Sequence, residues 1–144
     1  MHSRNQNRQE QLHDFFREYA ALSLGGDPAS LAGRYEASFL AAGPKGAAAF
    51  KNDETFLAWL RELHEFNAQT GMTSMSVDEV HEIPVGAGYS LATVSWAATF
   101  DRTGAAPIRF KISYLLHDVA SRPRIAAYIS HDDQEDVMRA HGLL

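Results

Sequence analysis

The chain contains no cysteine and no long hydrophobic run. Without cysteine it cannot form disulfides, use a thiolate nucleophile or hold a metal through cysteine sulfur. No apolar stretch approaches the roughly 20 residues that span a membrane as a helix, so we expect no membrane partner. Residues 1–8 are polar and lack the apolar segment of a secretion signal. We therefore expect a cytoplasmic location, a disordered tail over residues 1–8 and a single domain over residues 9–144.

Positive charge and metal-ligand patterns are also scarce. The 13 Lys and Arg residues stand against 18 Asp and Glu residues, and the net charge of −5 includes no basic block. We therefore expect no nucleic-acid partner. The seven histidines are scattered, with no His-x-His or His-Glu-x-x-His pattern, so we expect no metal and no cofactor. Neither a Gly-x-Ser-x-Gly motif nor a phosphate-loop spacing occurs.

The first half of the chain shows helical periodicity. An apolar stripe predicts a first helix over residues 8–24. Gly25-Gly26 ends it, because glycine readily adopts the left-handed conformation of a helix C-terminus. Asp27 and Pro28 suit the cap and first turn of a second helix, which the apolar spacing extends to about residue 40.

A third helix follows after a break in the pattern. Residues 41–46 are rich in breakers and predict a loop, and residues 46–50 fit either a loop or a short helical turn. Asn52 or Asp53 can cap the third helix, and Gly71 ends it. Between them an apolar stripe recurs at steps of three and four. The stripe consists of Phe56, Trp59, Leu60, Leu63 and Phe66.

The second half alternates with a period of two, which is typical of strands. Strands are predicted over residues 72–83, 89–100, 108–117 and 124–130. A short last helix follows, capped by Asp132 or Asp133. Helices followed by an antiparallel meander form a curved sheet wrapped around those helices, often with a pocket between the layers. We therefore predict an α+β fold with three N-terminal helices in a strongly bent, mostly antiparallel sheet.

The end of the first predicted helix carries a family resemblance. The segment from Tyr19 to Asp27 reads Tyr-Ala-Ala-Leu-Ser-Leu-Gly-Gly-Asp, and with the element order it resembles the nuclear-transport-factor-2-like superfamily over residues 10–131. That superfamily shares an α+β, cystatin-like cone and includes ketosteroid isomerases and small polyketide cyclases. The ending from Tyr128 to Asp133 is similar to a less studied bacterial branch. The resemblance implies the cone fold, and function has to be argued from the site.

Ketosteroid-isomerase chemistry can be tested against the residues. The resemblance implies a tyrosine on the first helix, a carboxylate base in the loop after the second helix and a protonated carboxylic acid on the third strand. Tyr19 matches the tyrosine. The loop at residues 42–45 has no carboxylate, and the strand position falls near Ser113. Because both carboxylates are missing, we do not expect that chemistry.

A binding pocket is the leading hypothesis, with a small, mostly apolar molecule as its ligand. Tyr19 either donates a hydrogen bond into the pocket or is an ordinary core tyrosine. Trp59 and Trp96 either line the pocket or belong to the core or a dimer surface. For His131 the alternative is a strand exit before a helix cap. The candidate lining residues are Tyr19, Trp59, Leu63, Trp96, Tyr128 and His131.

Two other functions remain open at this stage. One is a cyclase or isomerase with Tyr19 as hydrogen-bond donor and His64, His117 or His131 as acid and base, which requires one of these histidines at the same cavity. The other is a dimeric interaction module, which predicts a filled cone and an exposed apolar patch. We expect a homodimer in any case, because the second and third predicted strands carry apolar residues on both faces.

Overall fold

A computed structural model describes residues 4–143 of the chain, with side chains over residues 7–104 and 106–143. The elements form an α+β fold, as predicted. None of the helices in residues 4–143 is long and apolar enough to cross a membrane. In chain order the elements are α1 (Arg4–Gly25), α2 (Pro28–Ala32), β1 (Tyr35–Gly43), β2 (Gly46–Lys51), α3 (Glu54–Thr70), β3 (Met72–Gly86), β4 (Tyr89–Phe100), β5 (Gly104–Val119), β6 (Arg122–Ser130) and α4 (Gln134–Ala140).

The strands form one six-stranded sheet in the order β2-β1-β6-β5-β4-β3. Every neighbouring pair is antiparallel except β1 and β6, which are parallel. The mostly antiparallel sheet is therefore confirmed. The core lies between this sheet and α1, where the Phe16 ring meets Trp96 and Tyr114 at centroid distances of 6.1 Å and 4.8 Å.

The first helix begins earlier than predicted. It starts at Arg4 instead of Arg8, so the prediction of a disordered tail is wrong for residues 4–8, while residues 1–3 lie outside the described part. The side chain of Arg8 donates to Glu82 at 2.8 Å and to Asp118 at 3.2 Å. Gln9 donates to the carbonyl of Val80 at 2.8 Å. Because these polar residues bind the sheet, a polar N-terminal turn still folds as helix.

The second helix is shorter than predicted, and a β-hairpin replaces its second half. α2 ends at Ala32, while Tyr35 and Phe39, expected on its apolar stripe, lie in β1. Residues 46–50, predicted as a loop or helical turn, form most of β2. Asn52 explains the change, since its amide donates to the carbonyl of Ala32 at 2.8 Å and to that of Tyr35 at 3.2 Å. These bonds satisfy carbonyls that a longer helix would have used.

The strands predicted in the second half are all present. β4 has the predicted bounds, and β3, β5 and β6 are each longer by a few residues. The inward face of β5 is fixed by burial of Ile112, Tyr114 and Leu116. The helix caps also agree, because the carboxylate of Asp53 accepts from the start of α3 and that of Asp133 accepts from the start of α4.

Candidate functional site

A cavity of about 600 Å³ lies between the sheet and the helices. Its walls come from α1, α3, α4, the β1–β2 hairpin and strands β3, β5 and β6. Most of the lining is aliphatic or aromatic, and it includes four tyrosines that carry hydroxyl groups. These are Tyr19, Tyr35, Tyr114 and Tyr128.

Two of the tyrosines form a buried pair. The hydroxyl oxygens of Tyr19, on α1, and Tyr35, on β1, are 2.6 Å apart, and both side chains are buried. Only one hydroxyl can donate in this bond, so the other keeps a proton for a third group. Ser23 stands one helical turn beyond Tyr19 and donates back to its carbonyl at 2.9 Å. The part of the cavity lining next to α1 therefore has polar groups surrounded by apolar side chains.

The other two tyrosines accept hydrogen bonds from their neighbours. The indole nitrogen of Trp96 donates to the hydroxyl of Tyr114 at 3.2 Å, and the amide of Gln134 donates to the hydroxyl of Tyr128 at 3.0 Å. Among the described residues the proton of Tyr128 has no acceptor within hydrogen-bond distance. Tyr128 can therefore donate to an oxygen atom inside the cavity.

Burial keeps all four phenols protonated. Loss of solvation raises the pKa of Tyr19 to about 12, and the bond with Tyr35 offsets only part of this. The same loss of solvation raises the pKa of Tyr35, Tyr114 and Tyr128 above the ordinary value. Neutral phenols at physiological pH are donors and weak acceptors, and they do not act as general bases. The site can therefore polarise or hold an oxygen atom, while proton abstraction would need another group.

The cavity lining is charged at the exposed Lys45 and Asp132 and at the partly exposed Asp133, and this part is called the mouth. Lys45, at the tip of the β1–β2 hairpin, lies 3.4 Å from a carboxylate oxygen of Asp133 and 3.5 Å from one of Asp136. The backbone amide of Asp136, followed by Lys45, lowers the pKa of Asp133, so this carboxylate is ionised. Asp132 also reaches the lining. These ion pairs join the hairpin tip to α4 across the opening.

Four of the six predicted pocket residues line the cavity. Tyr19, Leu63 and Tyr128 lie inside it, and Trp59 lies at the rim with half of its surface exposed. Whether they bind a ligand stays a prediction.

Trp96 and His131 do not line the cavity, and their assignment to the pocket is corrected. Trp96 is fully buried beneath the wall, where it donates to Tyr114 and stacks against the ring of Tyr19. The ring of His131 lies on the opposite face of the sheet, where its Nε2 is 2.7 Å from the hydroxyl oxygen of Ser113. Ser113 lies next in sequence to the inward Tyr114, and neighbours in a strand point to opposite faces.

The other two candidate histidines also lie outside the cavity lining. His117 stacks on Tyr89 at a centroid distance of 4.4 Å and bonds to Glu36. His64 lies on α3, where its Nε2 is buried without a hydrogen-bond partner among the described residues. A cyclase or isomerase assisted by histidine would require His64, His117 or His131 at the cavity, and none of the three rings lines it.

Sequence reasoning missed two of the four tyrosines for different reasons. Tyr35 was assigned to a helix, and its position in β1 depends on contacts with Asn52, which is distant in sequence. The sequence does contain a signal for Tyr114, because the alternation of the third predicted strand places it on one face with Ile112 and Leu116. The missing information was that the face pointing toward α1 is the one that carries Tyr114.

Comparisons with known proteins agree with the cone. The family model described as NTF2-like protein (DUF6841) matches residues 6–133. No curated protein matches the sequence. Among solved structures, Aln2 from a Streptomyces species is similar with a TM-score of 0.70 and 14% identity, covering 97% of this chain and 99% of that one.

Two further structures show the same architecture. A protein of unknown function with a cystatin-like fold from Nostoc punctiforme has a TM-score of 0.65 and 6% identity, covering 86% of this chain and 90% of that one. A ketosteroid isomerase-like protein from Erwinia carotovora atroseptica has a TM-score of 0.60 and 17% identity, covering 86% and 95%. At these identities the likeness concerns the fold alone. The family match, over most of the chain, confirms the resemblance seen in the sequence, and this chain belongs to the family of NTF2-like proteins.

Proposed function

We propose that the protein binds a small, mostly apolar molecule that carries a carbonyl or hydroxyl oxygen. The observation that supports this is an open, apolar cavity of about 600 Å³ with neutral phenol groups in its wall. A volume of this size is typical of a small-molecule site, where a few placed polar groups orient an apolar ligand. A ligand oxygen near Tyr128 would accept the proton that has no acceptor among the described residues.

The same geometry favours binding over catalysis. The cavity lining contains no histidine among the described residues, and its two carboxylates lie toward the mouth. Asp133 is engaged as the cap of α4 and by Lys45. A cyclase or isomerase would need a base placed against the ligand. The interaction-module hypothesis is also less favoured, because it predicted a filled cone.

The test uses paired ligands and paired variants. Small ketones of increasing size, each matched with the hydrocarbon of the same shape, are titrated calorimetrically against the protein. We expect each ketone to bind more tightly than its matched hydrocarbon. Tyr128→Phe should lower the affinity for the ketone about 2- to 10-fold and leave the affinity for the hydrocarbon unchanged, because one neutral hydrogen bond contributes about 0.5–1.5 kcal/mol.

A cavity-filling variant controls for surface binding. Leu63→Trp adds bulk inside the cavity and should abolish binding, whereas Val85→Trp adds bulk at an exposed position outside the lining and should not. Ligands that bind Leu63→Trp as well as the unaltered protein would show that they occupy the surface. A panel in which no member binds would refute the proposal.

A further inference from the structure

The two edge strands of the sheet, β3 and β2, differ strongly in how well they are protected from pairing with another chain. β3 is an irregular edge, because its pairing with β4 shifts register at three places. It also carries several charged residues and Pro84, and α1 binds it through Gln9 and the carbonyl of Val80. Bulges, charges, proline and a covering helix are the means by which proteins prevent an edge strand from pairing with another chain.

β2, at the other edge, has no register shift, no proline and no helix covering it among the described residues. All six of its residues are exposed, and its pairing with β1 runs from Gly46 to Lys51 without a register shift. The strand reads Gly-Ala-Ala-Ala-Phe-Lys, with a single charge at its end and no proline. A regular, exposed edge of small apolar residues is a template for another strand.

The direction of the free backbone groups follows from the register. The amide of Asn52 donates to the carbonyl of Ala37 at 2.8 Å, and in a regular antiparallel ladder every second residue bonds to the same neighbour. Residues 46, 48 and 50 therefore bond to β1. Ala47 and Ala49 direct their N–H and C=O groups away from the sheet, and Lys51 directs its N–H the same way, while its carbonyl accepts from the amide of Asp53 at 3.0 Å. No strand among the described residues meets the free groups there.

These free groups are self-complementary. In an antiparallel pair with a two-fold axis at Ala49, the two copies of Ala49 face each other, and Ala47 of each copy faces Lys51 of the other. No like charges lie directly opposite. Phe50, which is 37% exposed, faces Ala48 of the other copy, so that a large side chain meets a small one.

We propose that β2 is a docking edge for a second copy of this chain, which joins two sheets into one continuous sheet. Since β3 is protected, association through edges stops at two copies. The interface also reaches the cavity. Phe50 stacks on the buried Phe39 at a centroid distance of 5.6 Å, so Phe50 and Ala48 share the inner face, and both line the cavity. Phe50 of the second copy would therefore lie beside the part of the cavity lining formed by Ala48, a consequence that rests on the proposed binding function.

The test introduces a charge at the axis. Ala49 lies on the outer face, away from the cavity lining, and is exposed. The unaltered chain should have about twice its mass of 15.9 kDa by light scattering. Ala49→Lys and Ala49→Glu each place like charges opposite themselves, so each alone should remain folded by circular dichroism and show the single mass. An equimolar mixture of the two variants should recover the double mass, because opposite charges then meet at the axis.

Three results would overturn the proposal. They are a single mass for the unaltered chain throughout a dilution series, a double mass for both variants alone, and a mixture that does not reassociate. Leu91→Lys is the comparison variant, since Leu91 lies on the outer face of β4 away from this edge. If it dissociates the protein while the Ala49 variants do not, the copies meet through the sheet face. Leu63→Trp keeps the double mass even if the ligand proposal fails, so the two proposals fail separately.

Discussion

The buried tyrosines make alkaline pH a direct probe of the cavity. A tyrosine whose pKa is higher in the folded state than in the unfolded chain holds its proton more tightly when folded. Its contribution to stability is complete below the unfolded pKa of 10.0 and is lost as the pH rises through the folded pKa. For Tyr19 that window runs from pH 10 to about pH 12. The free energy of unfolding should therefore fall across it.

The magnitude follows from the shift. Each pKa unit corresponds to 1.36 kcal/mol, so a rise from 10.0 to about 12 means that Tyr19 alone removes about 3 kcal/mol of stability by pH 12. Tyr35, Tyr114 and Tyr128 act in the same direction. Domains of this size have only about 5–15 kcal/mol to lose, so we expect unfolding near the upper end of this window.

Urea denaturation at pH values between 8 and 12 measures the effect, and phenolate absorbance reports when the buried tyrosines ionise. Ionisation should coincide with unfolding. The double variant Tyr19→Phe/Tyr35→Phe is the control, because it keeps the rings and removes two titrating groups, and its stability should decline less steeply. If the unaltered protein keeps its stability to pH 12, or if the tyrosines ionise while it remains folded, the cavity is wetter than the geometry indicates.

Three further predictions concern the elements that frame the site. Asn52→Ala should destabilise the fold by about 1–3 kcal/mol in urea, because it removes the donor to one carbonyl at the end of α2 and to one at the start of β1, and an unchanged midpoint would contradict this. Arg8→Met should speed hydrogen exchange in the first turns of α1 without affecting α3, since Arg8 ties that end to β3; equal exchange in both proteins would refute the reasoning. Asp133→Ala should lower the midpoint of thermal or urea unfolding through loss of the α4 cap, and Asp133→Ser, which can still cap, should restore most of that loss.

Local patterns predicted those parts of the fold whose form depends on neighbours in sequence. β3 to β6 alternate with a period of two, and the caps at Asp53 and Asp133 were visible as acidic residues before helical stripes. The β1–β2 hairpin was missed because Tyr35 and Phe39 are four residues apart, a spacing that suits one face of a helix and one face of a strand. The bonds from Asn52 decide between them, and a pattern within residues 28–40 does not contain that information.

The candidate site was predictable to the extent that a side chain's face is set within its own element. Tyr19 and Leu63 lie on helical stripes and reach the cavity. Trp96 faces the same side of the sheet but lies beneath Tyr19, whose ring stacks on it at a centroid distance of 6.2 Å. How deeply a side chain lies below the cavity wall depends on how α1 packs on the sheet, and the periodicity of a strand does not give that depth. His131 follows the end of β6, where alternation gives no guide.

The segment that looked least informative in the sequence is the one that leaves room for a ligand. Beside Tyr35, Phe39, Lys45 and Phe50, the hairpin that closes one side of the cavity contributes six small residues to the lining, where leucine or phenylalanine would be expected to fill a core. The six small residues are Ala41, Ala42, Gly43, Gly46, Ala47 and Ala48. The same small side chains make the outer edge of β2 flat enough to accept a second strand. The alanine-rich composition of this hairpin therefore contributes both to the open volume of the cavity and to the exposed edge of the sheet. Enlarging Ala48 to leucine should reduce ligand binding and edge pairing together. Enlarging Leu63 should reduce ligand binding alone.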